Sequence, residues 1–588
     1  MFSSSGDPHH GGGSGPGSGF DPVVGLVAVL GLVFTASGMV WLAAALSMLL
    51  SGGGWPSGDS LKSSPSLLWN TATGTAPGEA WHAATGTELG PVWLFWLLAS
   101  ALAVGLVVLA VWGIARLRGT GRKSLGAQWA GRSDEKRMVV PADPAARRGR
   151  LTVGHSQLTR RLLAAEPYAS AIALGPNGSG KTVSLVVPNG LEWDGPAVIT
   201  TAKGPDIAYI VEARKKIGPV HILSPVSRVR YPTASWSPVD YASTEERAER
   251  MARWLCEAAA MTNPDSKPWI IQARQYIAPL LLAAHHSGRG IDAFVEYIDT
   301  GKEAQQAVRE QLRAIGAVTA LRLYTKIWTL HADGIGSVQF TANTLIDAYN
   351  VPAVRQAAQS SSFDVEELLK GKGSLIIVAP PSESEALAPL FTAVIASVLH
   401  AAERLYEDTN MAANRPPGAT PLPLSDPLLL DLDEAGNVFR YPGLAKLAST
   451  ARGMGMQLLL IFHDIAQLTS LYGREAAGTI MSQCRLRIVL PALGDKDTVD
   501  HISGAFDRTV VYRASHTTSS DGRTSSTMAP HEIPLVAPHQ IRQLERGHAL
   551  VQYDNLPPMR VKLRNAETDK SLLALAAPET EPKKLEKT

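Results

Sequence analysis

AIALGPNGSGKTVSLVVPN, residues 171–189, decides the reading of this chain. AIAL (171–174) has the pattern of a short buried strand. It runs into GPNGSGKT (175–182), which fits G-x-x-x-x-G-K-[ST] at every position. In such a turn the glycines let backbone N–H groups converge on phosphate oxygens. The lysine reaches the β and γ phosphates, and the hydroxyl after it serves Mg²⁺. Gly175, Pro176, Asn177, Gly178, Ser179, Gly180, Lys181 and Thr182 are therefore the candidate nucleotide-binding residues, with ATP as the expected nucleotide. Thr182 is also a candidate ligand of Mg²⁺. The helix that follows adds the positive end of its dipole. Pro188 makes that helix short or kinked.

A phosphate loop needs an acidic second half. DPLLLDLDEAGN (426–437) supplies it: an apolar run places carboxylates at the C-terminal end of a buried strand. Asp433 is the candidate for Mg²⁺, and Glu434 the candidate for orienting and activating the attacking water. Asp431, two residues earlier on the same strand face, competes for the metal role, and Asp433 is preferred. Around these halves, GPAVITTAK (195–203), GPVHILSP (218–225), GSLIIVAPP (373–381), GMQLLLIFHD (455–464) and CRLRIVLPA (484–492) read as strands. Helical stretches such as DIAYIVEARKKI lie between them, as in a doubly wound sheet. Residues 243–367 break the alternation with helical periodicity alone, beginning at a capping signature, STEE. They are expected to form an all-helical insertion.

The 588 residues exceed one ordinary domain. A net charge of +2 declares no polyanionic partner, so any nucleic-acid contact has to be local. The two cysteines, Cys256 and Cys484, have no metal-ligand spacing and no disulfide framework, and read as core thiols. Two apolar stretches, 23–50 and 91–115, are long enough to span a bilayer. Trp93, Trp96 and Trp112 fall near the ends of the second. A cleaved signal peptide does not fit: the first run is too long, no basic segment precedes it, and a second span follows. Arg116, Arg118, Arg122 and Lys123 mark the cytoplasmic side, which places both termini there and only 51–90 outside.

These blocks, taken in order, resemble the type IV coupling proteins, the VirD4/TraG family of conjugative ATPases. The likeness runs through the two spans, the phosphate loop with its Pro-Asn, the strand ending at Lys203-Gly204, and ASWSPVD (234–240). It continues through LDEAGN, STARGMGMQLLLIFHDIAQLTSLYG (449–473) and the segment ending at LPPMRVKL. Three positions depart from the family pattern: Thr201 stands where an Asp is common, His463 where Gln is common, and Ser-Pro replaces Asn-Pro at 237–238. The resemblance implies an α/β, RecA-like P-loop NTPase core with an inserted all-helical domain and two N-terminal transmembrane helices, assembled as a homo-hexamer. It also implies recruitment of single-stranded DNA with its relaxase to a type IV secretion channel at the cytoplasmic membrane. Gln467 is retained as a catalytic candidate, and Arg452 matches an arginine that acts in trans on a neighbour's nucleotide, although a surface salt-bridge role is equally open to it.

The expected layout is a flexible tail (1–22), span one (23–50), an outer loop (51–90), span two (91–115) and a linker (116–165). The nucleotide-binding domain follows in two parts, 166–242 and 368–565, around the helical domain 243–367, and a disordered tail closes the chain from 566. Two other functions compete. A double-stranded DNA translocase of the cell-division type shares the loop and the anchor, but usually has four spans and a C-terminal winged helix, for which 506–588 shows no pattern. A membrane receptor or scaffold with only structural nucleotide binding has no need of Lys181, Thr182, Asp433 and Glu434 together. In DRTVVYRASHTTSSDGRTSSTM (507–528), the middle, SHTTSSDGRTSS (515–526), reads as a polar low-complexity loop between strand-like pieces, with no chemistry.

Overall fold

The computed structural model describes residues 22–120, 126–143, 145–261, 267–413, 418–518 and 524–578. The chain forms two compact units, residues 1–123 and 124–588. The expected N-terminal tail and the last ten residues of the C-terminal one lie outside the described residues.

In the first unit, two helices of 29 residues, Pro22–Leu50 and Val92–Thr120, are each long and apolar enough to cross a membrane. At 1.5 Å per residue each reaches about 43 Å, beyond the ~30 Å of a hydrocarbon core. The segment between them does more than connect. It holds short helices, Ser64–Ala72 and Pro77–Thr85, which fold back on the first long helix. Trp81 is fully buried there, and the Trp41 indole N–H donates to Ser60 Oγ at 3.1 Å. The second long helix leaves Trp93, Trp96, Val104, Val107, Val108 and Trp112 exposed.

The second unit is built on β1 (Thr152–Ser156), β2 (Leu162–Ala164), β3 (Ala171–Leu174), β4 (Ala197–Thr201), β5 (Val220–Leu223), β6 (Ser374–Val378), β7 (Leu428–Leu432), β8 (Met456–Phe462), β9 (Leu486–Val489), β10 (Arg508–Thr518), β11 (Thr524–Pro534), β12 (His548–Tyr553) and β13 (Met559–Leu563). Eleven of them make one sheet in the order β2-β1-β13-β12-β9-β3-β8-β7-β4-β6-β5. From β9 to β5 the strands are parallel, as the alternation of elements predicts. From β12 to β2 they run antiparallel, an extension not foreseen in the doubly wound reading. Alternate residues of the central strands enter two apolar layers, Leu428, Leu430 and Leu432 on one face and Leu429 on the other.

Between β5 and β6 the chain is helical, as expected, from Glu245–Ala260 to Val365–Lys370. The Thr244 side chain caps the first of these helices by accepting from Arg247 N at 3.2 Å. The two crossings of this insertion are tied together at ASWSPVD. Trp236 N donates to Ala357 O (2.9 Å), Ser237 N to Ser361 Oγ (3.0 Å) and Ser361 N to Asp240 Oδ2 (2.7 Å). A third apolar helix, Ser384–Ala412, has spanning length, but most of it is buried in the fold, so it is a core helix. The strand-like pieces around SHTTSSDGRTSS are strands that reach further into it than the sequence reading places them: β10 and β11 pair over eleven residues as a separate two-stranded ribbon, which takes in 515–518 and 524–526. Beyond 566, the helix Lys570–Ala576 packs with Leu572 buried.

Candidate nucleotide-binding site

Parallel pairing brings the C-terminal ends of β3, β8 and β7 side by side, with β8 in the middle. Leu174 lies opposite Phe462 and Leu460 opposite Leu432. The residues just beyond these ends are Gly175, His463 and Asp433, so three distant stretches of sequence meet at one edge. After β3 the chain turns through Gly178 and Gly180, both at positive φ (82° and 86°), a conformation that costs glycine nothing. A wide helical turn follows, Thr182–Val186, and then the helix Val187–Glu192. The wide turn sits where Pro188 removes the donor that Ser184 O would meet in a regular helix. Asn189 then clamps this helix to β1: its Oδ1 accepts from Thr152 N (2.8 Å) and its Nδ2 donates to Thr152 O (3.0 Å).

Lys181 is 5% exposed, which leaves bulk water little share in its charge. Its Nζ lies 3.6 Å from Glu434 Oε1 and 3.3 Å from His463 Nδ1. An ammonium only donates, so Nδ1 is the acceptor. Thr182 Oγ1 donates to Asp433 Oδ2 at 2.6 Å, and Thr200 Oγ1 donates to Asp433 O at 2.8 Å. Burial raises the pKa of Asp433, while the Thr182 hydroxyl and Lys181 oppose the rise. Glu434 has left-handed backbone angles (φ 51°, ψ 46°), uncommon for a residue with a Cβ, and heads the short helix Ala435–Val438. Gln467 N donates to Asp464 Oδ1 (2.7 Å), and Gln467 Oε1 accepts from His463 N (3.0 Å).

The sequence candidates Lys181, Thr182, Asp433, Glu434 and Gln467 are thus within one constellation. Asp431 is not part of it. Its carboxyl is fully buried in β7, opposite Ile199 and Leu459, and its oxygens have no hydrogen-bond partner. Burial first, and Asp433 second, push its pKa well above the carboxylate range, which keeps it neutral and unsuited to a metal ion. Arg452 also lies elsewhere. It is exposed at the end of helix Leu444–Met454, which leads into the start of β8, and the seven residues of that strand put it roughly 20 Å from the loop edge. There it lines an open cavity of about 730 Å³ with Arg150, Glu166 and Tyr168. Among the departures, Thr201 Oγ1 accepts from Lys203 N (3.3 Å), and His463 contacts Lys181 directly. Sequence reasoning passed over Asn437, although it closes the quoted block LDEAGN: an Asn after a strand reads as a turn residue.

The donor set fits a nucleotide with Mg²⁺. Ser179 Oγ is buried in the loop without a hydrogen-bond partner, where a phosphate oxygen would meet it. The Thr182 hydroxyl and the Asp433 carboxylate are already together, both oxygen ligands of the kind Mg²⁺ takes.

Fold and site together define a P-loop NTPase core carrying a helical insertion. The chain belongs to the family described as Type IV secretory system Conjugative DNA transfer, which it matches over residues 123–565. Conjugal transfer protein TraG of Escherichia coli is 25% identical over 409 residues, 63% of this chain and 61% of that protein. Protein VirD4 of Agrobacterium fabrum is 22% identical over 429 residues, 70% of this chain and 60% of that protein. The chain thus spans about three fifths of the length of these curated relatives. Of the solved structures, plasmid coupling protein TrwB in complex with ADP and Mg²⁺ shares the fold, with a TM-score of 0.51 at 17% identity over 76% of this chain and 95% of that one.

Proposed function

We propose that this protein is a membrane-anchored ATPase that couples relaxase-bound single-stranded DNA, or a protein substrate, to a type IV secretion channel during conjugative transfer. The observation that carries the reading is the 2.6 Å contact between Thr182 and Asp433 beside Lys181 and Glu434, in a chain of this family. In this reading the loop 175–182 cradles the phosphates of ATP, and Lys181 leaves Glu434 for the β and γ phosphates. Thr182 and Asp433 would hold Mg²⁺, which when bound neutralises phosphate charge. Glu434 orients the attacking water and accepts its proton on a carboxylate oxygen. Gln467 fixes the end of β8. Arg452 serves the nucleotide of a neighbouring copy in a homo-hexamer, and basic side chains in the ring, with Lys203 a candidate, track the DNA. The helices 22–50 and 92–120 anchor the ring, with residues 51–90 outside and the large C-terminal unit in the cytoplasm.

The test is ATP hydrolysis by the full chain in lipid nanodiscs, with and without single-stranded DNA, beside Lys181→Ala. The expected result is turnover that DNA stimulates and that the variant lacks. Competition by duplex DNA at equal concentration would favour the double-stranded translocase. Tight ATP binding without turnover under every DNA condition would leave the scaffold.

A further inference from the structure

A chain of amides joins Glu434 to the end of β8, and it has only one consistent polarity. Asn437 Nδ2 donates to Glu434 Oε2 at 3.1 Å, and Gln467 Nε2 donates to Asn437 Oδ1 at 3.3 Å. Gln467 Oε1 accepts from His463 N at 3.0 Å. Each amide could be turned end for end in isolation. Here both termini are fixed: a carboxylate oxygen at one end only accepts, and a backbone N–H at the other only donates. Both amides must therefore point the same way, donor end toward Glu434. The surroundings make room for this. A Cβ at Gly436 would stand 2.9 Å from Gln467 Nε2, closer than that amide tolerates.

Glu434 is thus held from two sides, by Lys181 on Oε1 and by Asn437 on Oε2. We infer that Asn437, braced by Gln467, is the positioning residue that keeps the Glu434 carboxylate aimed once Lys181 has moved to phosphate. This rests on the ATPase reading of the same site. The first hold is lost when the phosphates take the ammonium. The second involves no group that the nucleotide engages, so it persists through the step in which Glu434 takes the proton of water. It also ties the aim of Glu434 to the backbone of His463, whose ring contacts Lys181.

The test uses the full chain in nanodiscs and near-isosteric variants. Asn437→Asp keeps the shape and removes the donor to Glu434. Gln467→Glu keeps the acceptor for His463 N and removes the donor to Asn437. Gly436→Ala displaces the Gln467 amide without altering either polar side chain. Each is expected to lower kcat by about tenfold or more, while affinity for a fluorescent non-hydrolysable ATP analogue stays within about twofold. The double variant Asn437→Asp/Gln467→Glu is expected to be no slower than the slower single, because links of one chain fail together. Retained analogue affinity reports a folded site. Wild-type kcat in Asn437→Asp, or multiplying losses in the double variant, overturns the relay and leaves the ATPase reading standing. A wild-type chain that binds the analogue but never turns over overturns both.

Discussion

The two ends of the parallel strands differ in completeness. At the C-terminal ends, Lys181, Thr182, Asp433, Glu434, Asn437 and His463 engage one another at 2.6–3.6 Å within a single chain. A buried ion pair such as Lys181–Glu434 persists only because both partners are present. At the N-terminal ends, the guanidinium of Arg452 stands exposed over an open cavity. The first end holds the groups that would bind phosphate and activate water, and among the described residues the hydrogen bonds and ion pairs of its polar side chains involve no arginine. The second end offers an arginine and no phosphate loop. A ring in which one end faces the other in the next copy would unite them.

The largest effect that can break this contrast is Lys181→Ala. It removes the cation from the phosphates and leaves Glu434 without its buried partner. We expect turnover to fall by on the order of 10³-fold, together with weaker ATP binding, measured by phosphate release and analogue titration. Turnover within tenfold of wild type would mean that the chemistry is not at this edge.

Arg452→Ala sharpens the contrast, because it separates hydrolysis from binding. The expected loss is again about 10³-fold in kcat, with analogue affinity unchanged. The decisive measurement is mixing. Chains carrying Arg452→Ala keep a whole phosphate site, and chains carrying Lys181→Ala keep the arginine. Mixed before ring assembly, they are expected to recover activity that neither has alone. No recovery, with Arg452→Ala as active as wild type, would return Arg452 to a surface salt-bridge role.

How much of each end was readable from sequence follows from where its signals lie. GPNGSGKT and LLLDLDE carry theirs locally: a run of apolar residues, then a fixed spacing of glycine, cation and carboxylate. The antiparallel extension does not. β1 pairs with β13 about 400 residues later, Gly154 opposite Leu563, and no local pattern announces such a partner. The ribbon β10–β11 was legible only in part, as strand-like flanks: toward its polar middle it exposes both faces, as at Tyr512, Arg513 and Met528, so no alternation of apolar and polar residues marks how far the strands run. Asn437 and Gln467 were visible as letters. Their link depends on β7 and β8 lying side by side, which only the folded sheet supplies.

Asp431 and Asp433 repeat the contrast within one strand, and this gives the smallest effect and the most pointed one. They lie two residues apart, Asp431 within β7 and Asp433 just past its end, yet Asp433 meets Thr182 and Asp431 meets only apolar neighbours in the strand register. Because burial raises the pKa of Asp431, the native state retains a proton that the unfolded chain gives up above about pH 4. Where the native state binds the extra proton, stability falls as pH rises from the unfolded pKa toward the native one. Asparagine has the same shape and no proton to lose. Asp431→Asn is therefore expected to raise the Tm of the full chain at pH 7–8 by about 2 °C or more, each pKa unit being worth about 1.4 kcal/mol, and the gain should vanish toward pH 4. Turnover should stay within about twofold, since Asp431 does not touch the Thr182 hydroxyl. Asp433→Asn, with the same change of one atom, should abolish Mg²⁺-dependent turnover. Equal losses in the two variants would mean that the strand positions both carboxylates for the ion. Unequal losses, with a pH-dependent gain in stability for Asp431→Asn alone, would establish that two residues of strand separate a ligand from a core acid.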